Sequence, residues 1–228
     1  MQPYFFPYIG YFQLLNAVDE FIIYDNIQFT KKGWINRNRI LVNGKDEYIT
    51  LPLKKDSDFL DVKDRYLAND WKIEQKKMLN RITESYRKAP FFETTFPLIE
   101  NIILHNETQL FLFTLNSVET IKNYLGISTP LTISSSLPIN HQLKGPDKVI
   151  ALCKQKQAKT YINAIGGIDL YSKDEFRSHN IDLKFIKTNS ITYPQFKYEF
   201  IPYLSIIDVL MFNEKEDVKK LLNNYQLV

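Results

Sequence analysis

The sequence predicts an α/β protein with a mostly parallel sheet, an early antiparallel hairpin and a layer of helices in the middle of the chain. Strand-like and helix-like patterns alternate at both ends, as in parallel sheets with crossover helices. The pair Asn43-Gly44 separates two short β patterns, and two long amphipathic helical patterns lie between them and the second half. We expect a single domain, 1–228, with a helical insertion at approximately 69–126.

The first 30 residues predict a strand, a helix and a second strand. In chain order the segments are "MQPYF", which is extended, "YIGYFQLLNAVD", with Ile9, Phe12, Leu15 and Val18 at helical spacing, and "EFIIYDNIQF", which reads as a buried strand. Such a unit favours a parallel strand pair joined by a right-handed crossover.

The hairpin and the helices come next. "INRNRILV", the turn-forming "NGKDE" and "YITLPL" are expected to form an antiparallel hairpin, because Asn-Gly supplies the positive φ angles of a tight turn. The first long helix, "DWKIEQKKMLNRITESYRK", follows the candidate cap Asn69 and stops at Pro90. The second, "NETQLFLFTLNSVETIKNYLGI", ends at Gly126.

The last hundred residues return to alternation. Their segments are "PLTISSSL" (strand), "GPDKVIALCKQ" (helix), "KTYINAIGG" (strand and turn), "LYSKDEFRSH" (helix), "IDLKFIK" (strand) and "LSIIDVLMFNEKEDVKKLLNNY", two short helices broken near Asn213. Ligands of open parallel sheets bind beyond the carboxyl ends of the strands. Three strand-end loops are therefore candidates for a site: "QPYFFPYIG", "SSSLPINH" and "NAIGG".

Composition and missing motifs exclude several classes of protein. The net charge is only +3, so wholesale electrostatic binding to genomic DNA is not expected. We expect no signal peptide, membrane span or disulfide framework, and therefore a cytoplasmic protein without membrane partners. Dinucleotide, P-loop and H-E-x-x-H motifs are absent, and nothing requires a metal. The three histidines, His105, His141 and His179, are interpreted as surface or capping residues, and Cys153 as a buried core residue.

A cationic run, "KKGWINRNRI", opens the hairpin. Five cations and no carboxylate lie between Lys31 and Lys45, so the local field is positive. On a strand, Arg37 and Arg39 share one face, while Trp34, Asn36 and Asn38 share the other. One face is suited to clamping a phosphate or a carboxylate. The alternative is an edge hairpin whose charges prevent aggregation.

The three strand-end loops supply further candidates. In the first, Pro3 and Pro7 hold the backbone extended, Gly10 lets a helix begin close to the strand or to a ligand, and Gln2 and Tyr4 are the side chains expected to face such a ligand. In the second, Ser134 and Ser135 can bind a sugar or a phosphate. In the third, Asn163 ends a strand, and Gly166 and Gly167 permit close backbone approach. Each loop can equally be an ordinary turn.

Several of these segments together resemble the WbqC-like family: "QPYFFPYIGYFQLL", "KKGWINRNRI", "TYINAIGGIDLY" and "LSIIDVLMFN", in this order. The resemblance covers nearly the whole chain. It implies a role in the synthesis of O-antigen or other surface polysaccharides, as a transferase that places glycine or another aminoacyl (acyl) group on an amino sugar. Chains of the family carry apolar residues ahead of the Gln-Pro segment, whereas this sequence begins at Met1, so its first strand is expected to be short or weakly placed.

Such a transfer needs a base and oxyanion donors close together. Asp25 is assigned as base or orienter, Asn36, Asn38 and Asn163 as donors, Lys32, Arg37 and Arg39 as partners of a pyrophosphate or a carboxylate, and Tyr4 and Trp34 as sugar contacts. The expected partners are a nucleotide-activated amino sugar and an aminoacyl donor. ATP or an activated glycine is the possible cosubstrate.

Two other functions remain open. The strand, "P-x-x-x-G" turn and helix at the start look like the opening of nucleotide-binding domains of nucleotidyltransferases and class I aminoacyl-tRNA synthetases, without their histidine signature. An ATP-dependent nucleotidyltransferase or ligase is thus one alternative. A noncatalytic carbohydrate-binding protein is the other.

Overall fold

A computed structural model describes all residues from Met1 to Val228. Its helices and strands are α1 (Ile9–Asn16), β1 (Phe21–Ile23), β2 (Arg37–Val42), β3 (Lys45–Thr50), α2 (Trp71–Tyr86), α3 (Phe92–Ile103), α4 (Leu110–Tyr124), β4 (Leu131–Ile133), α5 (Gly145–Gln155), β5 (Thr160–Ala164), α6 (Lys173–Ser178), β6 (Asp182–Thr188), α7 (Ile206–Phe212), α8 (Lys215–Leu221) and β7 (Tyr225–Leu227). The α/β class is confirmed. None of the helices has both the length and the apolar character needed to cross a bilayer.

The strands form three small sheets rather than one large one. β1 and β4 pair in parallel, with Phe21 opposite Leu131, and β5 and β6 pair in parallel, with β7 antiparallel on the other side of β6. Met1 lies along the free side of β1, where its carbonyl accepts from the Tyr24 N–H at 2.8 Å. The expected parallel pair at the N-terminus is therefore present but only one residue long.

The predicted hairpin is present, but its turn consists of Asn43 and Gly44 and not of the whole "NGKDE" segment, because residues 45–47 already pair with β2. β2 and β3 pair with Arg37 opposite Thr50 and Val42 opposite Lys45. The turn residues Asn43 and Gly44 both have positive φ angles, 50° and 78°, as a two-residue turn requires.

The helical layer contains three helices instead of the two that the sequence predicts. α2 and α4 are confirmed, and α3 lies between them although Pro97 stands inside it. Proline removes one helical hydrogen bond. Burial of Ile99, Ile102 and Ile103 against the main core, together with a bond from the Thr95 hydroxyl to the Leu210 carbonyl, outweighs that loss.

Two separate clusters of apolar side chains form the interior. The larger joins the hairpin, helices α1 to α4, α7 and α8, and the segment of residues 2–8 before α1, which we call the N-terminal turn. The smaller lies between α5, α6, β5 and β6 and contains Cys153, Phe176 and Phe185. Burial raises the pKa of the Cys153 thiol to about 11, so at neutral pH it stays protonated and acts as a core residue, as the sequence predicts.

One buried carboxylate connects the C-terminal helix α7 to the hairpin and the helical layer. Asp208 is fully buried and accepts hydrogen bonds from the hydroxyls of Tyr86 and Tyr193, both at 2.8 Å, and from Gln195 Nε2 at 2.7 Å. Tyr86 in turn accepts from the Leu41 N–H at 2.8 Å. The Asp208 cluster, as we call these four side chains, thus joins α2, α7, β2 and the segment before α7.

The Asp208 cluster makes stability depend on pH. Burial raises the pKa of Asp208 from 3.8 to about 6, against the opposing effect of its three hydrogen bonds. The folded protein therefore binds this proton more tightly than the unfolded chain between about pH 4 and 6, and the contribution to stability falls as the pH rises through that window. We expect the wild type to lose about 2 kcal/mol relative to Asp208→Asn from pH 4 to 7, measured by urea unfolding. A constant difference across these pH values would contradict the assignment.

Candidate functional site

A cleft of about 940 Å³ opens at the carboxyl ends of β1 and β5. Its walls come from residues 1–11, 24–28, 34–39, 59–61, 141–149 and 161–171, with Tyr203 at the rim. Seven of the chain's 14 tyrosines line it, beside Trp34 and Phe59. The volume lies at the upper end of the range typical of small-molecule sites. Both its position and its aromatic walls make it the candidate site.

The N-terminal turn is held in a strained shape on one wall. Phe6 has a φ of 42°, which a residue with a side chain rarely adopts. Asn38 Nδ2 donates to the carbonyls of Phe5 and Phe6 at 3.1 and 2.9 Å, and the Ser205 hydroxyl donates to the Phe6 carbonyl at 2.8 Å. Asn38, assigned from the sequence as an oxyanion donor, thus has its amide engaged by the main chain. It positions the turn that carries Gln2 and Tyr4 to the cleft.

Gly10 allows the ring of Tyr8 to lie over the start of α1. A β-carbon at Gly10 would come within 2.3 Å of that ring. Tyr8 and Gly10 both line the cleft, and Tyr8 packs edge-on against Tyr203 at 6.3 Å between ring centroids. The close approach that the sequence predicts at Gly10 is therefore made by a tyrosine of the chain itself.

The cationic run is not free of acidic partners once the hairpin forms. Arg39 Nη1 lies 2.8 Å from Asp46 Oδ2, and Lys31 lies 2.8 Å from Asp58. The expectation that no acidic residue neutralises the run is therefore wrong for these two cations, because Asp46 and Asp58 lie outside residues 31–45. Arg39 remains at the rim of the cleft, with its guanidinium 5.6 Å from the centre of the Trp34 ring.

Asp25, Ser134 and Ser135 lie together behind the cleft wall rather than in it. The carboxylate of Asp25 accepts from the Ser135 N–H at 3.0 Å and from the Ser135 hydroxyl at 2.5 Å, while the Ser134 hydroxyl donates to Asn26 Oδ1 at 2.5 Å and lies 3.3 Å from Asp25 Oδ1. Asp25 is 5% exposed and contributes no surface to the cleft. These bonds end the pairing of β1 with β4 and fix the direction of the next residue, Asn26. Of the two roles predicted for Asp25, base and orienter, these contacts favour the second.

Asn26, Lys148 and His141 form a polar network on the cleft wall. Lys148 Nζ donates to the Asn26 carbonyl and to Asn26 Oδ1 at 3.1 and 3.2 Å, and Asn26 Nδ2 lies 2.9 Å from His141 Nδ1. His141 Nε2 lies 3.0 Å from the Leu137 carbonyl and must donate to it, so Nδ1 accepts from Asn26. His141, interpreted from the sequence as a surface or capping residue, holds Asn26 in place.

Lys148 is the cation buried in the cleft. It is 7% exposed, and its ammonium lies 5.3 Å from the centre of the Tyr24 ring. Burial lowers its pKa, while the carboxylates of Asp61 and Asp25 oppose the shift. A partly desolvated ammonium of this kind binds an oxyanion strongly, because little water remains to compete for it.

The third strand-end loop faces Lys148 across the cleft. Asn163 Oδ1 accepts from the Ala164 N–H at 2.8 Å, which leaves Nδ2 as the donor available to a ligand. A β-carbon at Gly167 would lie 2.6 Å from that nitrogen, whereas one at Gly166 would meet no atom within 4 Å. Gly167 is thus the glycine that keeps Asn163 in position.

Substitution of Gly167 by alanine is expected to displace Asn163 and weaken ligand binding in the cleft about tenfold, the loss of one hydrogen bond to a ligand. Gly166→Ala is the matched control, because its added methyl group meets open space. Calorimetric titration of both variants with a cleft ligand measures the difference. An equal loss of ligand affinity in both variants would contradict the assignment of Asn163 as a hydrogen-bond donor to the ligand.

The candidates proposed from the sequence divide into three groups. Eight line the cleft: Gln2, Tyr4, Trp34, Asn38, Arg39, Asn163, Gly166 and Gly167. Three line a second depression beside the hairpin: Lys32, Asn36 and Arg37. Asp25, Ser134 and Ser135 line neither. Asn36 Nδ2 donates to the Leu51 carbonyl at 2.9 Å, which ties it to the hairpin. The hairpin and the glycine pair, Gly166 and Gly167, therefore line the same cleft. The cationic run is divided, because Arg39 lines the cleft whereas Lys32 and Arg37 line the second depression.

The sequence reasoning missed Lys148, Asn26, Tyr24 and Asp61. A signal for two of them existed. Asn26 follows the end of β1, and Lys148 stands in the first turn of α5, and ligands of α/β folds bind at such positions. This position alone did not show that Lys148 is buried, because its partner Asn26 lies 122 residues away in the sequence.

Comparison with known proteins supports the family resemblance of the sequence. The model of the WbqC-like protein family matches residues 2–220. A protein of Mycobacterium tuberculosis (strain ATCC 25618 / H37Rv), described as "Uncharacterized protein Rv1507c", is 30% identical over 217 residues, which cover 93% of this chain and 91% of that protein. No solved structure matches the chain significantly. The resemblance carried by the N-terminal turn, the cationic run and the glycine pair is confirmed, and the chain belongs to the WbqC-like protein family.

Proposed function

We propose that the protein transfers an aminoacyl group, glycyl in the case that the family resemblance implies, to the amine of a nucleotide-linked amino sugar during surface-polysaccharide synthesis. The observation that carries the proposal is the cleft itself, in which a buried ammonium, Lys148, stands among seven tyrosines and the free amide donor of Asn163. This combination is suited to a ligand that carries both an anionic group and a ring system.

Nucleotide sugars have both parts. Tyrosine and tryptophan rings stack on the base and on the apolar faces of the sugar, as rings of this kind do at binding sites. Lys148 binds the diphosphate, and its hydrogen bonds to Asn26 orient its ammonium group. A cleft of about 940 Å³ is more than a single monosaccharide needs, which favours the nucleotide-linked form.

The transfer step forms one bond and breaks one. The lone pair of the sugar amine attacks the carbonyl carbon of the donor, a C–N bond forms, and the bond from that carbon to the leaving oxygen or sulfur breaks with its electron pair. One proton leaves the amine and the leaving atom gains one. Asp61, a carboxylate in the cleft that makes no ion pair, is assigned as the acceptor of the amine proton. Asn163 Nδ2 is assigned as the donor to the developing oxyanion.

Mass spectrometry of the sugar product tests the proposal. The purified protein is incubated with a set of nucleotide amino sugars and, in separate arms, with glycyl-tRNA, a glycyl thioester, or glycine with ATP. The expected result is a nucleotide sugar that gains one glycyl group from glycyl-tRNA or from the glycyl thioester, and a loss of that product in Asp61→Asn.

Two outcomes would replace the proposal. Product that forms only with glycine and ATP, with pyrophosphate released, would assign an ATP-dependent ligase. Tight calorimetric binding of a sugar with no product in any arm would assign a noncatalytic carbohydrate-binding protein.

A further inference from the structure

A second depression, of about 410 Å³, lies between the hairpin and the loop that follows it. We call it the basic groove and define it by Phe29, residues 31–32, 36–37 and 50–56, Asp58 and Arg65. It adjoins the cleft: Gln28 and Phe59 line the cleft, whereas their neighbours Phe29 and Asp58 line the groove. The two depressions are therefore adjacent, and no residue lines both.

The charge of the groove is strongly positive. Six cationic side chains face two acidic ones, a formal balance of +4 in a chain whose complete net charge is +3. One of the acids, Asp58, is already paired with Lys31 at 2.8 Å. Lys54, Lys55 and Arg65 make no ion pair, so their charges remain available to an anion.

Arg65 is the unusual member of this set. Arg65 is only 5% exposed, and its guanidinium lies 4.5 Å from the centre of the Phe29 ring. Nη2 donates to the Ser57 carbonyl at 2.7 Å, but the buried Nε has no partner. A buried guanidinium that makes no ion pair carries a large desolvation cost, which an anion bound in the groove would offset.

The loop beside Arg65 is also ordered in advance. Lys32 has a φ of 64°, in the left-handed region. Arg37 holds this loop, because its Nε donates to the Gly33 carbonyl at 3.1 Å and its Nη2 donates to the Lys32 carbonyl. Strained backbone that neighbouring bonds maintain is common at ligand sites.

We propose that the basic groove binds a phosphate oxyanion through Arg65, Lys54 and Lys55, at a site separate from the cleft. The ligand is a diphosphate-sized group, because the groove is shallow and less than half the volume of the cleft. Free pyrophosphate and the diphosphate of a nucleotide share this chemistry. The site does not depend on the transfer reaction proposed for the cleft.

Calorimetric titration with inorganic pyrophosphate tests the site, in a Lys148→Met background that removes the buried cation of the cleft. We expect saturable binding that weakens at least about tenfold in the double variant Lys54→Gln, Lys55→Gln, because two charge-assisted contacts are lost. The matched control is Lys76→Gln with Lys88→Gln, two exposed lysines on and after α2 that lie outside the groove.

Arg65→Met is the second variant, and it is expected to abolish saturation. If it does not fold, the lysine pair still decides the question. Binding of pyrophosphate that both groove variants leave unchanged, or that never saturates, would overturn the site. A parallel titration with uridine diphosphate separates the two sources: equal affinity for both indicates that the diphosphate alone is recognised, and binding of neither ligand would also overturn the site.

Discussion

Lys148→Met is expected to weaken binding of a nucleotide sugar in the cleft by about a hundredfold or more. The reason is the loss of a buried ammonium opposite a diphosphate, a change that costs about 3 kcal/mol in comparable buried charge pairs. Methionine has nearly the shape of lysine without its charge, so the packing against Tyr24 is retained and the fold is expected to remain intact. Calorimetry with the nucleotide sugar and a thermal unfolding curve measure both expectations.

Lys154→Met is the matched control for this experiment. Lys154 lies on the same helix, is exposed, and contacts only His179, at 3.0 Å. Unchanged affinity in Lys148→Met would show that the ammonium does not contact the ligand. A collapse of the unfolding curve together with affinity would show instead that Lys148 is required by the network of Asn26 and His141.

The largest effect on stability is expected from Asp208→Ala. The substitution leaves the hydroxyls of Tyr86 and Tyr193 and the amide of Gln195 without their shared acceptor in a fully buried place. Unsatisfied buried donors cost about 1 to 3 kcal/mol each, and we expect a loss of about 3 to 5 kcal/mol in total, because the hydroxyls reorient in part. Urea unfolding at pH 7 measures the free energy of unfolding.

Two comparisons make this prediction specific. Asp217→Ala removes an exposed carboxylate paired with Lys220 and is expected to change stability by less than about 1 kcal/mol. Tyr86→Phe removes one hydroxyl of the Asp208 cluster and is expected to have an intermediate effect. An Asp208→Ala variant as stable as Asp217→Ala would show that the cluster does not hold α7 against the hairpin.

The Asp208 cluster also explains why the segment "LSIIDVLMFN" accompanies the N-terminal turn and the hairpin in the resemblance. Its Ser205 donates to the Phe6 carbonyl, and its Asp208 reaches β2 through Tyr86. The segment contributes no surface to the cleft. The segment stabilises the strained N-terminal turn from outside the cleft. Its polar residues Ser205 and Asp208 therefore contribute to the fold and do not contact a ligand in the cleft.

Local patterns predicted most of the helices and strands. Alternating strands and helices, the Asn43-Gly44 turn and the buried Cys153 follow from interactions between residues close in the chain, and the structure confirms them. Helix α3 was missed because the local rule against proline is outweighed by burial that only the tertiary packing supplies. The size of the sheets was missed for a similar reason, since the bonds of Asp25 to Ser135 end the β1–β4 pair early.

The site was predicted in part. The sequence by itself determined which loops lie at strand ends, and the tyrosines, Asn163 and the glycine pair of the cleft came from these loops. Tertiary structure alone decided which cations face a ligand: it paired Arg39 with Asp46, directed Arg37 to its own loop and buried Lys148 and Arg65. The physical reason is that the state of a charge depends on its solvation and its partners, and partners such as Asn26 and Lys148 are 122 residues apart in the sequence.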